Sequence, residues 1–184
     1  MSPHDRIVTA RKTWQFAFFV AGSVNGGRIT PKTFVNPLRF LTSAEGEPDR
    51  GLEFWHRFTP GDLETLAFNN AVGATTHVAI TVDEALDEAF GLPSPRARKT
   101  HPDPAIAGLR CVTYLIRCAF AHGPLEPQWQ IAPRYRDDLY AVEPAGVKLD
   151  TTGLHGSQVS ANQFGGWEGF HRLLGYAETI IDGR

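Results

Sequence analysis

Cysteine is almost absent: only Cys111 and Cys118 occur in 184 residues. Seven positions apart on one helix, they would lie two turns, about 10 Å, from each other, too far for a disulfide. A disulfide-stapled scaffold is therefore excluded, and the thiols read as buried groups of a reducing compartment. The N-terminal part of the chain also lacks a long apolar run. The stretch from Trp14 to Gly22 is interrupted by Gln15 and falls well short of the roughly 20 residues that a membrane span needs. The first residues show no signal-peptide pattern, so the chain reads as a soluble cytoplasmic protein without a membrane partner. Neither sign of charge dominates, with 18 Lys+Arg against 20 Asp+Glu and a net charge of −2. That balance excludes a protein that coats nucleic acid over its whole surface, though not a local basic site. Lysine is scarce, 4 against 14 arginines, which points to a GC-rich bacterial genome.

What is present is ordinary globular material, 42% hydrophobic and 21% charged. The length suits a single domain over 1–184. Ile7, Ala10, Trp14, Ala17, Phe18 and Ala21 recur at three- and four-residue steps and predict a helix over 6–21. Pro31, Pro37 and Pro48 punctuate 28–58, where a short helical piece is expected at about 32–42. Thr59-Pro60-Gly61-Asp62 is a helix start. From there Leu63, Leu66, Phe68, Val72, Val78, Val82, Leu86 and Phe90 predict one long helix or two short ones, with Gly73 as the break. Residues 91–104 read as a loop carrying the basic run Arg96-Ala97-Arg98-Lys99.

The most apolar stretch runs from Ala105 to Ala121 and is stopped by His122-Gly123-Pro124. Trp129–Ile131, Leu139–Val142 and Val147–Leu149 are short alternating runs and predict a β insertion over about 127–150. A Gly/Ser/Thr-rich connection over 151–166 leads to a final helix from Trp167 to Ile181, with Phe170, Leu173, Leu174 and Ala177 on one side. The expected fold is all-α, a bundle of four or five helices with a short β insertion before the last. A parallel α/β sheet is disfavoured, because strands do not alternate with helices.

The apolar 105–121 helix has three polar exceptions on one face: Arg110, Thr113 and Arg117, at i, i+3 and i+7. A helix apolar all round is normally buried, and buried guanidinium groups need a partner or water. Either the stripe lines a cleft for an anion, or the arginines pair with Asp83, Glu84 or Asp87 of a neighbouring helix. Taken alone, Asp83-Glu84 with Asp87-Glu88 reads as a solvated acidic face.

Arg117 and His122 form an Arg-x4-His motif at the end of that helix. Arg96…His101 has the same spacing and Arg50…His56 one residue more, but only Arg117…His122 lies on a strongly apolar helix. The pair sets a base beside a phosphate-binding cation, the two groups that transfer at phosphorus needs. Histidine changes charge near neutral pH, and arginine offers a planar fork to two phosphate oxygens. Five residues on an ideal helix separate the two side chains by about 140°, so they converge only through a loosened last turn or a second subunit. The simpler alternative for His122 is a helix C-cap favoured by the helix dipole.

The segment Tyr114-Leu115-Ile116-Arg117-Cys118-Ala119-Phe120-Ala121-His122-Gly123 resembles the HEPN superfamily over about 20 residues, 104–123. The resemblance implies a helical bundle with Arg-x4-6-His near the end of its penultimate core helix. It also implies a homodimer that brings two motifs into one cleft. Many members are metal-independent endoribonucleases, some of them defence or toxin components with an antitoxin partner. Others are non-catalytic RNA-, nucleotide- or protein-binding modules. Active members usually carry Asn, Asp or His after the arginine, and Cys118 stands there in this chain. On this reading Arg117 and His122 are the catalytic pair, and Arg110, Thr113, Arg134 and Arg136 are candidates for substrate binding.

No cofactor is expected. The histidines, His155 and His171 included, show no ligand spacing such as His-x3-His, so no metal is expected either. Trp129, Tyr135 and Tyr140 suit either base stacking or the packing of a hairpin on the bundle. Residues 96–148 hold eight Lys/Arg against five Asp/Glu, while 1–95 hold eight against eleven, which favours a local phosphate site in the second half.

Overall fold

The computed structural model describes residues 1–34, 38–42, 50–54, 59–91, 98–123 and 125–183, with backbone alone for the strands at 38–42 and 50–54. The described residues are mostly helical. Four helices are present among them: α1, Pro3–Asn25; α2, Pro60–Phe90; α3, Pro104–Ala121; and α4, Gly166–Asp182. Two antiparallel hairpins accompany them, β1 (Leu38–Thr42) with β2 (Arg50–Phe54), and β3 (Leu139–Val142) with β4 (Val147–Asp150). The chain divides into two compact units, one of Met1–Gln15 with Val72–Arg184 and one of Phe16–Ala71.

The larger unit holds a helical core. Its helices bury the residues expected from their periodicity: Ile7, Ala10 and Trp14 from α1; Val78, Val82 and Leu86 from α2; Phe170, Leu173, Leu174 and Ala177 from α4. The Trp14 indole meets the Phe170 ring edge-on at 5.5 Å and donates to Thr75 Oγ1 at 3.1 Å. α3 is long and apolar enough to cross a membrane, but 61% of it is buried inside the protein. Asp103 caps its start, accepting from the Ala105 and Ile106 amides, and Pro104 fills the first turn, where a missing N–H costs nothing.

The β3–β4 hairpin lies between α3 and α4, in the predicted insertion. Trp129, Tyr135, Val142 and Leu149 are buried beneath it, so Trp129 and Tyr135 are packing residues, and Tyr140 is only 7% exposed. The expected strand at Trp129–Ile131 is reduced to a single bridge between Gln128 and Gln158. Residues 151–165, linker-like in composition, are tied down. Trp129 N–H donates to Ser157 O, Gly156 N–H to Trp129 O, and Val159 N–H to Pro127 O, each at 2.9 Å. Gln163 Oε1 accepts both the Trp129 indole, at 2.8 Å, and the Ser160 amide, at 2.7 Å.

The smaller unit holds the end of α1, the β1–β2 hairpin and the start of α2. The hairpin pairs Leu38 with Phe54 and Thr42 with Arg50. This corrects the helical piece expected at about 32–42: a 3-10 turn at Pro31–Phe34 is followed by strand. Leu66 and Phe68, expected on the apolar face of α2, are 51% and 59% exposed, whereas Leu63, Ala67 and Ala71 are buried.

Gly73 does not break α2, which is one continuous helix; a Cβ there would meet nothing within 4 Å. Gly108 on α3 is the opposite case. A Cβ there would lie 1.9 Å from the Ala141 carbonyl oxygen of β3. Gly73→Ala should therefore stabilise by about 0.5–1 kcal/mol, through helix propensity alone. Gly108→Ala should destabilise by about 1–3 kcal/mol or more as β3 is forced off α3. Urea unfolding of the two variants checks the pair.

Candidate functional site

Asp83 and Asp87 stand four residues apart on α2 and so share one face. That face is not solvated, contrary to the reading of Asp83-Glu84 and Asp87-Glu88 as an exposed acidic surface. Asp83 is 1% exposed, among Val82, Ala85 and Leu86, while Glu84 and Glu88 point to solvent. Three arginines converge on the two carboxylates. Arg117 Nη1 donates to Asp83 Oδ2 at 3.0 Å, and Arg110 Nη2 donates to Asp87 Oδ1 at 3.2 Å. Arg98 donates to Asp87 and lies 3.6 Å from Asp83. Its guanidinium also stacks on Tyr114, 4.2 Å from the ring centroid, and that of Arg110 sits 5.5 Å from the Phe90 ring. Burial pushes the Asp83 carboxyl up to about 6, with Asp87 adding to the rise and the positive charges of Arg98 and Arg117 opposing it.

The three arginines differ in exposure. Arg98 and Arg110 are 3% and 2% exposed, inside the core. The Arg117 side chain is 36% exposed, with one edge held by Asp83 and part of the guanidinium open to solvent. His122 caps α3 in helical geometry and is exposed. Five residues of helix place it about 7.5 Å further along the axis than Arg117 and about 140° around it. Cys118, between them, is half-buried, and burial raises its thiol above the ordinary range.

The remaining candidates are scattered. Thr113 is buried, and its hydroxyl donates to Leu109 O at 2.8 Å. Arg134 is exposed on the 3-10 turn Pro133–Tyr135 that precedes β3, its guanidinium 5.5 Å from the Tyr135 ring. Arg136 Nε donates to Ile131 O at 2.9 Å. The fold thus brings Arg110 and Arg117 into one charged cluster with Asp83 and Asp87, seats Thr113 beside Arg110 in the core, and leaves Arg134 and Arg136 on a separate turn.

Of the other histidines, His155 Nδ1 accepts the Ile131 amide at 3.2 Å, and His171 stacks on Trp14 with 6.2 Å between centroids. Among the described residues no group of three His, Cys, Asp or Glu side chains could hold a metal ion. Arg96, His56 and the Arg50 side chain, from the two competing Arg/His pairs, lie outside the described residues.

Sequence reasoning missed Arg98. It sits in the basic run read as loop, yet it is the residue that bridges Asp83 and Asp87. The signal available was on α2: acids at i and i+4 flanked by Val82, Ala85 and Leu86 demand cationic partners. No family model matches the chain, and no curated protein or solved structure matches it.

Proposed function

We propose that the chain is a HEPN-like protein that cleaves RNA without a metal, as a homodimer, in the manner of a bacterial toxin or defence nuclease with an antitoxin partner. The observation that carries this reading is the pairing of two unlike environments on one helix. Arg117 is anchored on one edge by buried Asp83 and open on the other. His122 ends the same helix and is exposed. An anchored guanidinium is pre-oriented for two phosphate oxygens, and an exposed imidazole is accessible to a 2′-hydroxyl.

In the reaction, His122 takes the 2′-hydroxyl proton and the 2′-oxygen attacks phosphorus. The bond from phosphorus to the 5′-oxygen breaks, that oxygen takes a proton from solvent and His122 releases its captured proton to solvent, giving a 2′,3′-cyclic phosphate and a 5′-hydroxyl end. Arg117 balances the added charge on the phosphoryl oxygens. Because the two side chains leave α3 on different sides, the histidine of one copy works with the arginine of another. The same fold without catalysis, as an RNA- or nucleotide-binding module, is the second reading. It is favoured by the ion pair that occupies Arg117 and by Cys118 beside it.

The test is a single-turnover assay on single-stranded and structured RNA. Cleavage should persist in EDTA and leave cyclic phosphate ends. Activity abolished by EDTA would remove the mechanism, and binding without cleavage would select the second reading.

A further inference from the structure

A cavity of about 340 Å³ lies between α3 and β3, away from Arg117 and His122. Gly108 and Cys111 line it from α3, Leu139 and Tyr140 from β3, and Lys99 and His101 from the connection before α3. The strand side of this cleft is an unpaired edge. Thr151 N–H donates to Asp138 O at 2.9 Å, and Asp138 N–H donates to Thr151 Oγ1 at 3.0 Å, so Asp138 faces β4. Alternation along the strand then turns Tyr140 toward β4 and the N–H and C=O groups of Leu139 and Ala141 away from it. The Ala141 carbonyl closes against Gly108. The Leu139 N–H, the Leu139 C=O and the Ala141 N–H therefore face the α3 side with no partner across it among the described residues.

The rest of the lining supplies donors. Lys99 Nζ is held by Asp138 Oδ2 at 2.5 Å and by Arg134 O at 2.8 Å, which leaves one ammonium hydrogen uncommitted. His101 Nδ1 lies 3.1 Å from the Asp103 amide nitrogen and 3.3 Å from the Asp103 carbonyl oxygen; with the nearer amide donating to Nδ1, the ring carries its proton on Nε2. The cleft thus offers one main-chain donor–acceptor pair and three further donors, two of them on cationic or ionisable side chains. Because Gly108 and Ala141 close one end, it suits the end of a chain better than its middle.

We infer that this cleft binds the carboxyl terminus of an extended peptide. Leu139 donates to a peptide carbonyl and accepts the last peptide N–H, as an added strand does. The terminal carboxylate accepts from the Ala141 N–H, Lys99 and His101.

The probe is N-acetyl-Val-Val with a free carboxylate, titrated into the full chain up to about 10 mM, the range of a weak main-chain contact. Amide ¹H–¹⁵N spectra are the readout. The Leu139 and Ala141 amide signals should shift and saturate. The C-terminal carboxamide of the same peptide should bind about tenfold more weakly, because it lacks the charge, and so should the acid on Lys99→Gln. No shift at these amides, shifts confined to other residues, or equal binding of acid and carboxamide would each overturn the proposal. The carboxamide comparison holds even if Lys99→Gln fails to fold.

Discussion

Arg98→Ala is expected to lower the free energy of unfolding by about 3–5 kcal/mol at neutral pH, the range for removing one partner of a buried ion pair. Arg98 is 3% exposed and bridges Asp83 and Asp87, so truncation leaves Asp83 in the core with only the edge-on contact from Arg117. It also removes the guanidinium from the Tyr114 face. The loss should depend on pH in a fixed direction. Burial already raises Asp83 from 3.8 to about 6, so the folded state holds this proton more tightly than the unfolded chain. The Asp83 contribution to stability is therefore greatest below about pH 4 and falls as pH rises toward 6 and beyond. Without Arg98 the carboxyl rises further, and the fall continues to higher pH. The difference between wild type and Arg98→Ala should be larger at pH 7 than at pH 5, as read by urea denaturation. A constant difference across that range would mean that the arginine does not act through the Asp83 charge.

His122→Ala should slow RNA cleavage by about 10²–10⁴-fold, the usual contribution of a general base. His122 is exposed, so the substitution should leave stability within about 0.5 kcal/mol of wild type. Arg117→Lys should also lose most of the rate, since an ammonium cannot contact Asp83 and two phosphate oxygens as a planar fork does. A mixture of the two variants offers a sharper readout. If each site draws its histidine and its arginine from different copies, mixed dimers regain one intact site. Single-turnover rates for the mixture should then exceed those of either variant alone. Full activity in His122→Ala would show that the assigned base is wrong.

Much of the fold was legible because the largest signals were periodic. The 105–121 stretch, capped by Asp103 and stopped after Ala121, is α3 almost to the residue. The alternation of Leu139–Val142 and Val147–Leu149 is the β3–β4 hairpin. The β1–β2 hairpin was missed, because the short alternations Leu38-Arg39-Phe40 and Leu52-Glu53-Phe54 lie in a Pro-punctuated stretch that reads as irregular. Gly73 misled because a lone glycine costs a helix only about 1 kcal/mol, which the flanking turns of a 31-residue helix absorb.

The site was legible in part. The stripe of Arg110, Thr113 and Arg117 on an apolar helix announced buried polar contacts, and pairing with Asp83 and Asp87 was one of its two readings. Arg98 was not legible, because a residue in a Pro-rich basic run gives no sign of turning inward.

The ordered segment over 151–165 has a consequence for how the protein meets proteases. A cleavage site must unfold over several residues to enter a protease active site, and glycine- and serine-rich tracts usually do so easily. Here the tract is stitched to Trp129 and Pro127 by main-chain bonds and pinned at Gln163 by two donors to one oxygen. Opening it would expose the fully buried Trp129 and Phe164 side chains. The stretch whose composition most resembles a linker should thus resist nicking, and the Trp129, Gly156 and Val159 amides should be slow to exchange with solvent.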